Sequence, residues 1–205
     1  MIWIILIIAL ALSSLWGFKF HNQLKTGLTA TDLDDKFTWG LYVQGFFFFS
    51  ALAGGILIFV AVVMLFEVQV LRPLVNIGAA VAFGCLVAAG LLLGSDLGKP
   101  FRGVKILWGN NFASPLTWHF FMISLCGILN VIFLLGLVPG GGAWSTVWSV
   151  LCLMAALGFV MIHTLFFLSR VGAGFRSQPF LGLDTLAQSL WGGMALIALI
   201  ALSSG

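Results

Sequence analysis

His119, His163 and Asp96 are the side chains of this chain best suited to taking up and releasing protons in apolar surroundings. Other hydrogen-bonding groups accompany them: Tyr42 (the only tyrosine), Gln44, Trp118, Lys99 and Arg102. A tyrosine, imidazoles and a carboxyl at a lipid boundary, walled by aromatic rings, suit an amphiphile with a polar redox head and an isoprenoid tail. Quinol oxidation releases protons and electrons together. It needs hydrogen bonds to two ring oxygens and a base that ionises near neutrality, for which histidine is the usual choice. On this reading His119, His163 and Asp96 handle protons, while Tyr42, Gln44, Trp118, Lys99 and Arg102 border the head group.

Most of these groups belong to, or flank, the stretch Asp96 to His119, the longest polar interruption of the hydrophobic second half of the chain. Pro100 and Pro115 break it where one helix should end and the next begin. Phe101, Val104 and Trp108 fall on one helical face and Arg102 and Lys105 on another, the pattern of a turn lying in a membrane interface.

The elements that must carry these residues are hydrophobic helices. Hydrophobic residues make up 61% of the chain and charged residues 7%, a balance that excludes a water-soluble globular domain. Apolar runs of about 20 residues, the length needed to span a bilayer, occupy residues 2–18, 39–66, 73–94, 116–138, 146–169 and 182–203. The expected fold is an all-α integral membrane protein with six transmembrane helices in a single membrane domain. Met1 to Gly17 lacks a basic leading segment, and its apolar run is long for a signal peptide, so it reads as a retained helix.

Alternating helix direction sets depth. Tyr42 and Gln44 open the second helix, Asp96 ends the third, Trp118 and His119 open the fourth, and His163 lies about 9 Å from the end of the fifth at 1.5 Å per residue. All therefore fall in the same half of the membrane, which also receives eight of the nine basic residues (Lys19, Lys25, Lys36, Lys99, Arg102, Lys105, Arg170 and Arg176). The positive-inside rule places that side in the cytoplasm and both termini outside, in a cell membrane. Polar groups inside membranes are costly and point to function. Simpler roles exist for each: Asp96 pairing with Lys99 or Arg102 in the loop, His119 bonding backbone at the interface, Tyr42 anchoring at the boundary. Phe46 to Phe49 reads as lipid-facing or core filling, and Ser50 with Gly54, or Ala51 with Gly55, as small residues for close helix approach.

Cys85, Cys126 and Cys152 are scattered through apolar runs, so no iron–sulfur cluster and no metal site is expected on this chain. Electrons from a quinol would have to leave through another protein.

Trp39-Gly40-Leu41-Tyr42, Phe46 through Gly55, Asp96-Leu-Gly-Lys-Pro100 and Ser114-Pro-Leu-Thr-Trp118 resemble the NrfD/PsrC family of polysulfide reductase-type membrane subunits. The likeness covers roughly residues 25–170. It implies a four-helix bundle over 39–169, with 1–18 and 182–203 as additional helices, and a menaquinone or ubiquinone site beside a docked iron–sulfur subunit. That partner would dock on the basic side and relay electrons to or from a catalytic oxidoreductase subunit. His119 stands where many relatives carry an acid, which alters the proton chemistry that can be carried over. Relatives usually continue through a second bundle, so the resemblance leads one to expect a short form, completed by a second membrane subunit or minimal by itself. Lipid is the expected surrounding and no nucleic-acid partner is expected. The chain reads as a quinone-reactive or non-catalytic subunit and not as a complete enzyme. The alternatives are a haem b subunit with His119 and His163 as axial ligands, and a non-redox membrane assembly or transport component.

Overall fold

The structure is a computed structural model that describes residues 2–26, 40–96, 109, 112–138, 142–170 and 179–204. Six α-helices run in order: α1 Ile2–Thr26, α2 Leu41–Leu65, α3 Pro73–Asp96, α4 Pro115–Leu134, α5 Gly142–Arg170 and α6 Leu181–Ser204, with a short 3₁₀ turn at Gln69–Leu71. Among the described residues there is no strand. The helices α2 to α6 are long and apolar enough to cross a membrane. The fold is that of an all-α, multi-pass membrane protein.

The helix ends follow from local chemistry. Pro115 occupies the first position of α4, where its missing N–H costs nothing, and Pro73 opens α3 in the same way. The apolar run of α4 continues to Val138, yet the helix stops at Leu134. Gly136 adopts φ +70°, its N–H bonds the carbonyl of Phe133, and the N–H of Leu137 bonds that of Ile132. This closure satisfies carbonyls the helix would otherwise leave bare, and it needs a residue tolerant of the left-handed region. At the end of α2 the same closure forms around Glu67, at φ +50°, with the N–H of Val68 on the carbonyl of Val63. Helix α1 extends to Thr26 instead of ending near residue 18, so Lys19 and Lys25 are helical and exposed. Hydropathy falls there, but no proline or glycine follows Gly17 before Thr26 to stop the backbone pattern.

Two compact units make up the chain, Met1–Gln44 with Leu91–Gly109, and Gly45–Gly90 with Asn110–Gly205. In the first, the buried side chain of Gln23 on α1 donates to the carbonyl of Ser95 near the end of α3.

In the second unit α2 is the central helix: 56% of its spanning window is buried, against 33% or less for the other four. It touches its neighbours through small residues. A Cβ on Gly54 would stand 2.5 Å from a methyl of Val160 on α5, and one on Gly78 of α3 would stand 3.0 Å from Val60. Gly55 is closer still, its Cβ position overlapping the Ser189 carbonyl of α6, while Gly193 of α6 faces the backbone of Gly55 and Ile56. Ile56, Val60, Ala82, Leu86, Leu129, Phe159, Val160 and Ile197 form the core of these helices. A polar tie crosses it: buried Asn130 on α4 donates from Nδ2 to the carbonyl of Ala79 on α3, at 2.9 Å.

Candidate functional site: a buried histidine pair

His119 sits in the second turn of α4 and His163 near the end of α5, and the second unit brings them together. Their ring centroids are 4.5 Å apart with planes at 75°. Both are enclosed, 0% and 2% exposed. Phenylalanines surround them. Phe46 meets His119 edge-on at 4.7 Å, and Phe159 lies 5.3 Å from His119 and 5.5 Å from His163. Phe47 touches both imidazoles, at 6.3 and 5.6 Å, and continues the aromatic wall to Phe166 and Phe167 at 4.9 and 5.0 Å.

Why this arrangement forms is visible in helix register. Phe159 and His163 are one turn apart on the same stripe of α5, facing α4 and α2. Phe46 and Phe47 are adjacent on α2, so they reach the pair from two directions; Phe46 is buried and Phe47 half-buried. Phe48 turns outward and is exposed, as a lipid-facing residue should be. The expectation of core filling or lipid contact therefore holds for parts of the Phe46–Phe49 run. Its first two members also wall the histidines, a role that shows only once α4 and α5 are in place.

The hydrogen-bond inventory defines the chemistry. His163 Nδ1 lies 3.1 Å from the carbonyl of Phe159. A carbonyl only accepts, so Nδ1 carries the hydrogen and Nε2 of the neutral ring presents a lone pair. Among the described residues that Nε2 has no partner, and neither has Nδ1 or Nε2 of His119. Three of the four ring nitrogens are thus buried and uncommitted. Each such group costs roughly 1–3 kcal/mol of desolvation, and native interiors keep few of them. The pair offers one defined acceptor, His163 Nε2, and one imidazole free to donate, accept or take up a proton. An enclosed, water-poor aromatic box strengthens any hydrogen bond made inside it.

Trp118, next to His119, faces away: it is 45% exposed and its indole N–H donates to the carbonyl of Phe112 at 2.8 Å. Tyr42, Gln44 and Asp96 belong to the first unit, where Tyr42 and Asp96 are half-buried and Gln44 is exposed. Lys99 and Arg102 lie outside the described residues.

The fold and this site together define a multi-pass helical membrane protein that encloses a histidine pair among its helices. The chain belongs to the polysulphide reductase, NrfD family, which its residues 29–202 match. It is 28% identical over 202 residues to a Halobacterium salinarum protein named as a membrane subunit of a dimethyl sulfoxide reductase, covering 88% of this chain and 46% of that one. It is 29% identical over 118 residues to the menaquinone reductase integral membrane subunit of Nitratidesulfovibrio vulgaris (57% of this chain, 28% of that one). A third relative is the Hdr-like menaquinol oxidoreductase integral membrane subunit of Archaeoglobus fulgidus, 27% identical over 131 residues (64% and 33%). The chain spans less than half the length of each of these relatives. No solved structure matches it.

Proposed function

We propose that this protein is the quinone-interacting membrane subunit of a respiratory oxidoreductase complex, exchanging electrons between the membrane quinone pool and a docked iron–sulfur subunit. The observation that carries the reading is the buried pair His119–His163 with three uncommitted ring nitrogens inside a phenylalanine box. Two relatives named for menaquinone or menaquinol chemistry support it. A quinol supplies two electrons and two protons when oxidised. His163 Nε2 accepts from a head-group hydroxyl, because its Nδ1–H is held by the Phe159 carbonyl. His119 positions the ring and takes or returns a proton as the redox state changes. Phe46, Phe47 and Phe159 exclude water and present apolar faces to a planar ring. Electrons pass to the iron–sulfur partner and on to a catalytic subunit. That partner docks on the basic, cytoplasmic side of the cell membrane, where Lys19 and Lys25 project from the end of α1.

Axial haem ligation by the same two histidines is the reading that the test must separate from this one. The test is quinol-linked turnover of the complex in membranes. His119→Ala and His163→Ala should each slow it by about 5- to 100-fold, the loss of one or two hydrogen bonds of about 1–3 kcal/mol, with the complex still assembled. Wild-type turnover in the double variant refutes the assignment. A Soret band that disappears with His163→Leu establishes haem instead.

A further inference from the structure

Ser50 is wholly buried in the middle of α2, and its hydroxyl has no hydrogen-bond partner among the described residues. A helical serine in apolar surroundings ordinarily bonds the carbonyl four residues back. Ser95, Ser124 and Ser149 all do so here, at 2.8 Å each. Ser50 does not, although the carbonyl of Phe46 lies one turn away on its own helix.

Its level in the bundle follows from contacts on either side. Three residues before it, the ring of Phe47 is 5.6 Å from His163. Four residues after it, Gly54 packs against Val160. Ser50 therefore stands opposite the segment of α5 between Val160 and His163. It shares its stripe of α2 with Phe46, one turn away, which meets His119 at 4.7 Å. Uncommitted polar atoms from three helices thus lie at neighbouring levels of the bundle: Ser50 Oγ from α2, both ring nitrogens of His119 from α4, and His163 Nε2 from α5. The other buried hydroxyls without partners belong to a different contact: Thr164 faces Gly182 of α6, and Ser189 lies on α6 itself.

We propose that Ser50 is a third polar contact of the histidine site, its hydroxyl hydrogen-bonding a ring oxygen of the bound quinone head group. The chemistry suits both redox states. A serine hydroxyl rotates, donating to the carbonyl of a quinone and accepting from the hydroxyl of a quinol without changing its own protonation. His163 Nε2, with its tautomer set by Phe159, only accepts while the ring is neutral. Ser50 thus supplies a donor that the oxidised form needs and that the second histidine alone does not. The small residue at this position serves two ends: it lets α2 approach α5, and it carries the hydroxyl that a glycine or alanine would lack.

The proposal rests on the quinone reading above, and the experiment separates the two. The intact complex, purified with its partner subunits, is titrated with a water-soluble naphthoquinone carrying isotopically labelled carbonyls. Affinity, the infrared carbonyl stretch of the bound ring and the quinone-free unfolding temperature are recorded for Ser50→Ala, Ser50→Cys, His119→Ala and His163→Ala. Ser50→Ala should weaken binding about 3- to 10-fold, the worth of one neutral hydrogen bond, and shift one carbonyl stretch upward. Its unfolding temperature should stay level or rise, because a buried unsatisfied hydroxyl has been removed. Ser50→Cys, with a weaker donor of similar size, should fall between. Unchanged affinity and stretch in Ser50→Ala, with losses in the histidine variants, overturns the role of Ser50 and leaves the site. Weaker binding with an unmoved stretch and a lowered unfolding temperature assigns Ser50 to packing and also overturns it. Unchanged binding in all variants removes the quinone site itself.

Discussion

Gly55→Ala adds one methyl group where α2 crosses α6, and the structure sets what that methyl must displace. The new Cβ would overlap the carbonyl oxygen of Ser189, lie 2.5 Å from the carbonyl carbon and 3.0 Å from the nitrogen of Leu190. Carbon–carbon contacts relax only at about 3.5–4 Å, so α6 must retreat by at least about 1 Å over this crossing. Backbone cannot rotate out of the way as a side chain can. Gly193 meets the same crossing from the other side: a Cβ there would stand 2.7 Å from the nitrogen of Ile56 and 2.9 Å from the carbonyl carbon of Gly55. Overpacking of a tight interior costs about 1–3 kcal/mol, while replacing a helical glycine with alanine returns up to about 1 kcal/mol. The expected net is a loss of about 1–2 kcal/mol, read as a lowered unfolding temperature in detergent. Gly84→Ala and Gly90→Ala are the controls: nothing lies within 4 Å of either Cβ position, so each should be neutral or stabilising by up to about 1 kcal/mol. If Gly55→Ala melts with the wild type, or with the controls, the close α2–α6 crossing is wrong.

Other outcomes follow from the helix ends and the polar tie. Glu67→Gly should stabilise the protein by about 0.5–1 kcal/mol, since a left-handed residue bearing a Cβ is strained and glycine is not; a lower unfolding temperature would contradict the φ of +50° at Glu67. Asn130→Ala removes the 2.9 Å bond to the Ala79 carbonyl and enlarges the adjoining cavity of about 30 Å³. It should cost about 1–2 kcal/mol, read by the same melt, with the affinity for a naphthoquinone unchanged. Trp118→Phe should leave quinol-linked turnover within about twofold, because its indole N–H serves Phe112, an effect worth at most about 0.4 kcal/mol; a loss comparable to that of His119→Ala would place the indole in the site.

Reading hydropathy along the chain recovers the helices because membrane spanning is a local demand: each segment must satisfy its own backbone bonds and present apolar side chains. Helix ends are less legible where chemistry and hydropathy part company. At Gly136 a left-handed glycine stops α4 inside an apolar run, and α1 continues through charged residues that hydropathy assigns to a loop. The two histidines were legible as candidates because an imidazole in an apolar helix is costly without a purpose. The family was legible too, from motifs at the helix ends that the match over residues 29–202 bears out. What only the tertiary structure decided is which polar groups meet. His119 and His163 are 44 residues apart, and nothing local dictates that their rings pack at 4.5 Å. Nor does sequence spacing tell that Trp118 turns outward beside His119, or that Phe46 and Phe47 close the box. Those facts depend on the rotation of each helix about its axis, set by where glycines such as Gly54 and Gly55 let backbones come close. Ser50 shows the same division: its sequence context reads as a packing serine, and only the folded structure shows its hydroxyl buried without a hydrogen bond among the described residues.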